Sequence, residues 1–387
     1  MNVELTKKIK YIGVDDLDID LFESQYIVPE GISYNSYVIL DEKVAVLDTV
    51  DKRKMAEWEM RLLEELNGRK VDYLVVHHVE PDHAGSIARL MELFPEMILV
   101  GNQKTFLFLP QFFDVDFTGR TMVVKEGDTL SLGEHELTFY MATMVHWPET
   151  MVSYEHKEKI LFSADGFGKF GALEQTQDDD WACEARRYYF NIVGKYGVSV
   201  QALLKKASTL DIAKICPLHG PILSGDLSEY IRLYDVWSSY EPESKGVLVA
   251  YASIHGNTAL VAEKFAELLR ERGVEKVVVS DLARADKAEV VEDAFRYDRM
   301  VVAAASYDAG VFTPMRDFLL TLQGKNYQNR KVAIIENGTW SPSAGRAMKA
   351  ILEEMKAVEI VEPMVTIRST MKEEDLSHLK DLAEQMC

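Results

Sequence analysis

The chain has 387 residues, 47% of them hydrophobic and 27% charged, which is enough for two or three domains with full cores and too apolar for a disordered chain. Its formal net charge is −20, from 63 acidic against 43 basic residues, so no basic field is available to hold a phosphate backbone and nucleic-acid binding is excluded as its main role. Cys183, Cys216 and Cys387 are too scattered for a disulfide framework, the N-terminus has no apolar signal core, and no apolar run approaches the ~20 residues needed to cross a bilayer; a cytoplasmic protein without a membrane partner is expected.

In chain order, residues 11–222 read as short β-rich runs separated by polar turns. Tyr37–Leu40 and Val44–Leu47 are expected to form a hairpin around Asp41-Glu42-Lys43. Further strands are expected at Tyr73–His77, Ile98–Val100, Leu137–Met141, Ile160–Ser163 and Ile212–Cys216, with helical spacing over Lys54–Leu66 and Ser86–Leu93. The polar stretch Tyr240–Gly246 reads as a linker, which divides the chain into 1–242 and 243–387. Beyond it, strands Gly246–Tyr251, Lys276–Ser280, Met300–Ala305, Lys331–Glu336 and Ile360–Ile367 alternate with helices Asn257–Glu271, Lys287–Phe295, Pro314–Leu322, Ala344–Met355 and Glu373–Gln385. Such alternation implies a doubly wound five-stranded parallel sheet in an α/β protein.

The stretch Tyr73-Leu-Val-Val-His-His-Val-Glu-Pro-Asp-His83 is an apolar strand that ends in His77, His78, Glu80, Asp82 and His83. So many ionisable groups at a buried strand end are costly unless something compensates them, and a pair of metal ions does so. His146, Asp165 and His219 each stand a few residues beyond a further expected strand. Together with His78, Glu80, Asp82 and His83 they supply four imidazoles and three carboxylates, a set that suffices for two metals with one bridging carboxylate.

The order His-x-Glu-x-Asp-His, then His, Asp and His, resembles the metallo-β-lactamase fold, an αββα sandwich, as used by flavodiiron proteins (A-type flavoproteins, the rubredoxin:oxygen oxidoreductase and NO reductase family). Hydrolases of that fold usually carry His-x-His-x-Asp-His and bind zinc. Glu80 stands at the second His position, which makes the site harder and more anionic and favours iron. Carried over by the resemblance, His78, Glu80 and His146 hold one iron, Asp82, His83 and His219 the other, and Asp165 bridges them. His77, outside the motif, is expected to pack rather than ligate.

In the second half, Ser253-Ile-His-Gly-Asn-Thr258 follows a strand and opens a helix. The hydroxyl and amide groups, Gly256 and the helix N-terminus suit an anion, and the loop resembles the FMN phosphate loop of flavodoxins. Two more loops, with Ser306, Tyr307, Asp308 and Gly310 and with Asn337, Gly338, Thr339 and Trp340, follow the third and fourth strands and are expected to flank the flavin ring. Ala304-Ala305 and Asn337-Gly-Thr depart from the family's usual Ser-Pro and Gly-Ser-Tyr-Gly-like runs.

The resemblance spans essentially the whole chain. It implies a flavodoxin-like FMN domain after the diiron domain, reduction of O2 to water or NO to N2O, an external electron donor such as a rubredoxin or flavin reductase, and a head-to-tail homodimer or a dimer of such dimers. Trp147, Phe167 and Phe170 stand as candidate pocket walls or as packing. Two rival readings are a zinc-dependent hydrolase carrying a flavodoxin module and a non-catalytic electron carrier or sensor.

Overall fold

The computed structural model describes residues 5–176 and 180–387. Contacts divide the chain into two units, one made of residues up to Tyr189 together with Val198–Asp235, the other of Phe190–Gly197 together with Val236–Cys387.

In the first unit two six-stranded sheets are present. One runs Ile9–Tyr11, Tyr37–Leu40, Val44–Leu47, Tyr73–Val75, Ile98–Gly101, Thr121–Val123; the other runs Thr129–Ser131, Glu136–Met141, Met151–Glu155, Ile160–Phe162, Lys214–Cys216, Leu223–Ser224. The expected hairpin has Tyr37 opposite Leu47 and Leu40 opposite Val44. Because side chains alternate along a strand, Ile39, Leu47, Val75 and Val100 of one sheet meet Leu137, Phe139, Met151 and Phe162 of the other in one buried cluster. Helix Met55–Leu66 buries Trp58, Leu62 and Leu66, one residue per turn along a single stripe.

Some elements differ from expectation. The strand from Tyr73 stops at Val75, because the Asp48 carboxylate, not a neighbouring strand, takes the His77 N–H at 2.7 Å. Met151–Glu155 was not expected as a strand: every residue in it is buried, so it lacks the alternation that marks a half-exposed strand. Helices Gln103–Phe112, Trp181–Tyr188, Gly197–Ala207 and Ser228–Ser238 were also not expected. The first carries Pro110 in its last turn and leaves Leu107 and Phe112 exposed, so no apolar stripe announces it. Its start is set by Asn102, whose side chain accepts the N–H groups of Lys104 and Thr105.

The sheet of the second unit has five parallel strands in the spatial order Val277–Asp281, Ser244–Ala252, Tyr297–Tyr307, Arg330–Asn337, Val358–Ile367, with the short strand Gly310–Val311 antiparallel to the end of Tyr297–Tyr307. This is the flavodoxin-type order, with the first strand second from one edge. All five expected helices are present, and the one from Ala344 stops at Leu352 rather than Met355. Val249, Phe265, Leu269, Ala303 and Ile335 lie in the core on one face of the sheet.

The stretch Tyr240–Gly246 is not a free linker. Tyr240 is buried, its hydroxyl donates to the Gly194 carbonyl at 2.9 Å, and Arg330 donates to its carbonyl at 2.7 Å. Ser244 onward already belongs to the sheet. The polar composition was misleading because the backbone there is satisfied by partners far along the chain.

Candidate metal centre and flavin site

The metal-site residues stand on loops and turns that leave strand ends. Glu80 precedes the short helix Pro81–Ala84, which carries Asp82 and His83. Ile160–Phe162 and Lys214–Cys216 run parallel, so Asp165 and His219 leave the same edge of their sheet. His146 lies in the turn between Glu136–Met141 and Met151–Glu155. Asp48, Met144, Ala164 and Phe167, all non-glycine, have positive φ around this site, a strain that the surrounding structure must hold.

The structure brings these residues into two groups, His78–Glu80–His146–Asp165 and Asp82–His83–His219, each with donor atoms within 4.8 Å of one another. Glu80 Oε2 lies 2.9 Å from His146 Nε2 and 3.2 Å from His78 Nε2. Asp82 Oδ2 lies 3.2 Å from His219 Nε2 and 3.3 Å from His83 Nε2. Asp165 is divided between the groups: Oδ2 is 3.4 Å from His78 and 3.5 Å from His146, while Oδ1 is 3.2 Å from His83 and 3.9 Å from His219. Donors that sit about 2.0–2.2 Å from a common ion are about 3 Å apart, the spacing seen here.

Both oxygens of Asp82 and of Asp165, both ring nitrogens of His83 and Nε2 of His219 are buried without a hydrogen-bond partner among the described residues. Orphaned groups at this density are rare in folded proteins, and a pair of cations satisfies them. The protonation of the cluster carries the same message. Burial opposes the charged form of His78, yet Asp165 and Glu149 raise its pKa well above the ordinary value. Burial likewise opposes charge on His83, but Asp82 and Asp165 raise it to about 9. Burial also works against ionised Asp165, and His78 and His83 hold it well below the carboxylate range. Protons stand where metals fit, so metal binding here releases protons. The donor set is all nitrogen and oxygen, with no thiolate, and it suits iron.

His77 does not join the cluster. Its Nδ1 is 2.5 Å from Asp48 Oδ2 and its Nε2 2.8 Å from Ser153 Oγ. Trp147 sits edge-on to His78 with ring centres 5.2 Å apart, and Phe170 packs on Tyr188, which lies 5.6 Å from the His219 ring. Phe167 stacks on Tyr234 at 4.1 Å. Three groups that aim the candidate ligands were not expected: Glu149 on His78, the Ser33 carbonyl on His219, and Asn35, whose amide donates to the carbonyls of Pro217 and Gly220 at 2.8 Å. Glu149 had a visible signal, an acid three residues after His146; Asn35 had none. Outer partners of this kind are worth about 10- to 100-fold in metal affinity. Asn35→Ala is therefore expected to weaken iron retention by about tenfold, checked by metal content after dialysis against a chelator; unchanged retention would remove Asn35 from this role.

In the second unit a cavity of about 700 Å³ opens at the carboxyl ends of the strands. Ser253, Ile254, His255, Asn257, Thr258, Ser306, Tyr307, Asp308, Asn337, Gly338, Thr339 and Trp340 line it, as do the unforeseen Ser343, Arg346 and Ser369. Gly256, with φ 91°, shapes the turn without lining the cavity, and Gly310 lines a smaller neighbouring one. Among the described residues, Arg346 is the only Lys or Arg on the wall. Two of the expected contacts are committed to the wall itself: Ser306 Oγ accepts the N–H groups of Ser343 and Ala344, and the Asn337 amide exchanges hydrogen bonds with the Ser369 backbone. Trp340 is 89% exposed and Tyr307 48%, so both rings are open to stack on a planar ligand. The volume and wall chemistry fit FMN.

Comparison with known proteins finds matches over both parts of the chain. Residues 32–220 match the ODP family beta lactamase and residues 249–379 the flavodoxin family. The chain is 29% identical to a nitric oxide reductase of Moorella thermoacetica over 99% of its own length and 98% of the relative's. It is similar in structure to the rubredoxin oxygen:oxidoreductase from Desulfovibrio gigas, with a TM-score of 0.92, 24% identity and 100% and 98% of the two chains covered. The flavodiiron protein from Giardia intestinalis gives a TM-score of 0.88 at 24% identity over 100% and 97%. With a β-lactamase-type unit bearing a two-part cluster of candidate ligands, a flavodoxin unit after it, and relatives matched from end to end, the chain is similar to the flavodiiron proteins in both of its parts and along its whole length.

Proposed function

We infer that this chain is an oxidoreductase that reduces O2 to water, or NO to N2O, with FMN as the internal electron relay and His78, Glu80, His146, Asp82, His83, His219 and the bridging Asp165 as the iron ligands. The observation that carries this reading is the division of the Asp165 carboxylate, one oxygen to each group. When bound, the iron pair supplies gas-binding centres of changeable valence and FMN supplies electrons singly.

The chain's own residues do the rest. Glu80 adds a hard, anionic donor where zinc hydrolases of this fold carry imidazole, and it favours a metal that must hold ferric charge. Glu80, Asp82 and His146 keep 17%, 11% and 10% of their side chains exposed, whereas His78, His83, Asp165 and His219 are closed off; a substrate therefore enters past the first three. Aromatic rings form the walls, with Trp147 against His78 and Phe22 5.3 Å from His219. Such walls admit a small apolar gas and exclude water. In the flavin cavity Arg346 and the hydroxyls of Ser253 and Thr258 are available to an anionic cofactor.

The zinc-hydrolase alternative is not favoured, because Glu80 replaces the imidazole it needs and the full-length relatives carry reductase names. We further infer a rubredoxin-type external donor and a head-to-tail homodimer in which FMN of one copy serves the metal centre of the other. No helix among the described residues is long and apolar enough to cross a membrane, and Cys183, Cys216 and Cys387 are unbridged, which supports a cytoplasmic site.

The test is to measure iron, zinc and FMN in the purified chain, reduce it anaerobically with a competent donor, and follow O2 and NO consumption separately. Two irons and one FMN per chain with turnover of at least one gas are expected. Iron-replete, FMN-replete protein that consumes neither gas would overturn the reading.

A further inference from the structure

The two halves of the metal centre match in their ligands and differ in what stands behind them. Each half has two imidazoles and one carboxylate of its own, His78, His146 and Glu80 against His83, His219 and Asp82, and the two halves share Asp165. Behind His78, however, stands a second carboxylate. His78 Nδ1 is 2.7 Å from Glu149 Oε1, and the same oxygen accepts the Val79 N–H at 3.1 Å. Both side chains are fully buried. Glu149 Oε2 has no hydrogen-bond partner among the described residues, so Oε1 carries the interaction. The Thr150 hydroxyl is the other group near that nitrogen, at 3.5 Å.

In the other half the backing is neutral or absent. His219 Nδ1 donates to the Ser33 carbonyl at 2.7 Å. His83 Nδ1 is buried without a hydrogen-bond partner among the described residues. A carboxylate behind a ligating imidazole pushes electron density into the ring and raises its basicity, and a charge-assisted hydrogen bond is about twice as strong as a neutral one. A more basic ligand favours the higher charge on the metal it holds.

We propose that Glu149 makes the two metals inequivalent, so that the His78–Glu80–His146 half retains the ferric ion while the Asp82–His83–His219 half takes the first electron. Glu149 acts through His78 and is a positioning residue. The proposal rests on the diiron reading above. The step it concerns is transfer of one electron from a chemical reductant such as dithionite to a diferric pair, giving one ferrous and one ferric ion; a second electron gives the diferrous pair, and no covalent bond is made or broken within the protein. An inequivalent pair takes the electrons in two separated steps and accumulates the mixed-valent form at half reduction. A symmetric pair accumulates less of it.

The experiment is an anaerobic dithionite titration of the iron-loaded, FMN-replete chain followed by electron paramagnetic resonance, where the mixed-valent pair is distinct from the flavin radical. Glu149→Gln keeps the shape and an acceptor oxygen but removes the charge. Its mixed-valent signal at half reduction is expected to fall several-fold against the unmodified chain, and its iron affinity to fall about 10- to 100-fold. Glu149→Asp, which keeps the charge at a longer reach, is expected to lie between the two, and it decides the matter alone if the Gln variant does not fold. A variant that takes up two irons and gives an unchanged mixed-valent signal overturns the role of Glu149. If the unmodified chain itself takes up no iron pair, the diiron reading fails with it, which is a separate outcome.

Discussion

Asp165→Ala is expected to empty both halves of the metal centre and to abolish gas consumption while the flavin unit keeps its FMN. Asp165 faces all four imidazoles, Oδ2 toward His78 and His146 and Oδ1 toward His83 and His219. Its removal withdraws one donor from each metal and the one negative charge that lies between them. Loss of an outer partner alone costs about 10- to 100-fold in metal affinity, so loss of a bridging ligand should exceed about 100-fold. Asp165→Asn is the sharper variant. The amide has the same shape but a single oxygen to offer, so one half is expected to keep metal poorly and the other to lose it. Iron content after chelator dialysis, FMN content from the visible spectrum and O2 and NO consumption decide it. A variant with full iron and full turnover would show that Asp165 does not bridge.

Glu80→His should change which metal the chain holds. It restores the His-x-His-x-Asp-His pattern of the zinc hydrolases and removes a hard anionic donor that now lies 2.9 Å from His146 and 3.2 Å from His78. Nitrogen and oxygen sites bind zinc above ferrous iron unless hardness or geometry prevents it. With the carboxylate gone, protein made in medium containing both metals is expected to carry zinc in excess of iron, and gas consumption to fall at least about tenfold. A Glu80→His chain that still selects iron and turns over at the original rate would show that Glu80 is not what selects the metal.

How much of this was readable in advance depends on how far apart the partners lie in the chain. The run His78–His83 was legible because its donors are local: one strand end and one helical turn present three of them with Glu80 between. His146, Asp165 and His219 were legible for a related reason, since each follows a strand and strand ends collect at one edge of a sheet. Glu149 lies 71 residues from His78, and only the turn after Trp147 folds it back, so its role had no local mark beyond its closeness to His146. Asn35 reaches the His219 loop across 182 residues. In the flavin unit, Ser306 and Asn337 stand on the expected loops, but their side chains hold those loops together instead of facing freely into the cavity. Sequence position placed them; hydrogen-bond geometry assigned them.

The five-stranded parallel sheet, the ligand types and a loop suited to an anion follow from the sequence by itself, because period, turn chemistry and donor spacing are properties of neighbouring residues; that the loop holds FMN is what the resemblance to flavodoxins implied. Which Asp165 oxygen faces which group, that His77 turns to Asp48 and Ser153, and that His78, alone of the candidate ligands among the described residues, has a further carboxylate, Glu149, behind its ring were decided by the tertiary structure. These are contacts between strand ends of two different sheets, and their geometry exists only once Ile39, Val75, Phe139 and Phe162 have packed the sheets face to face.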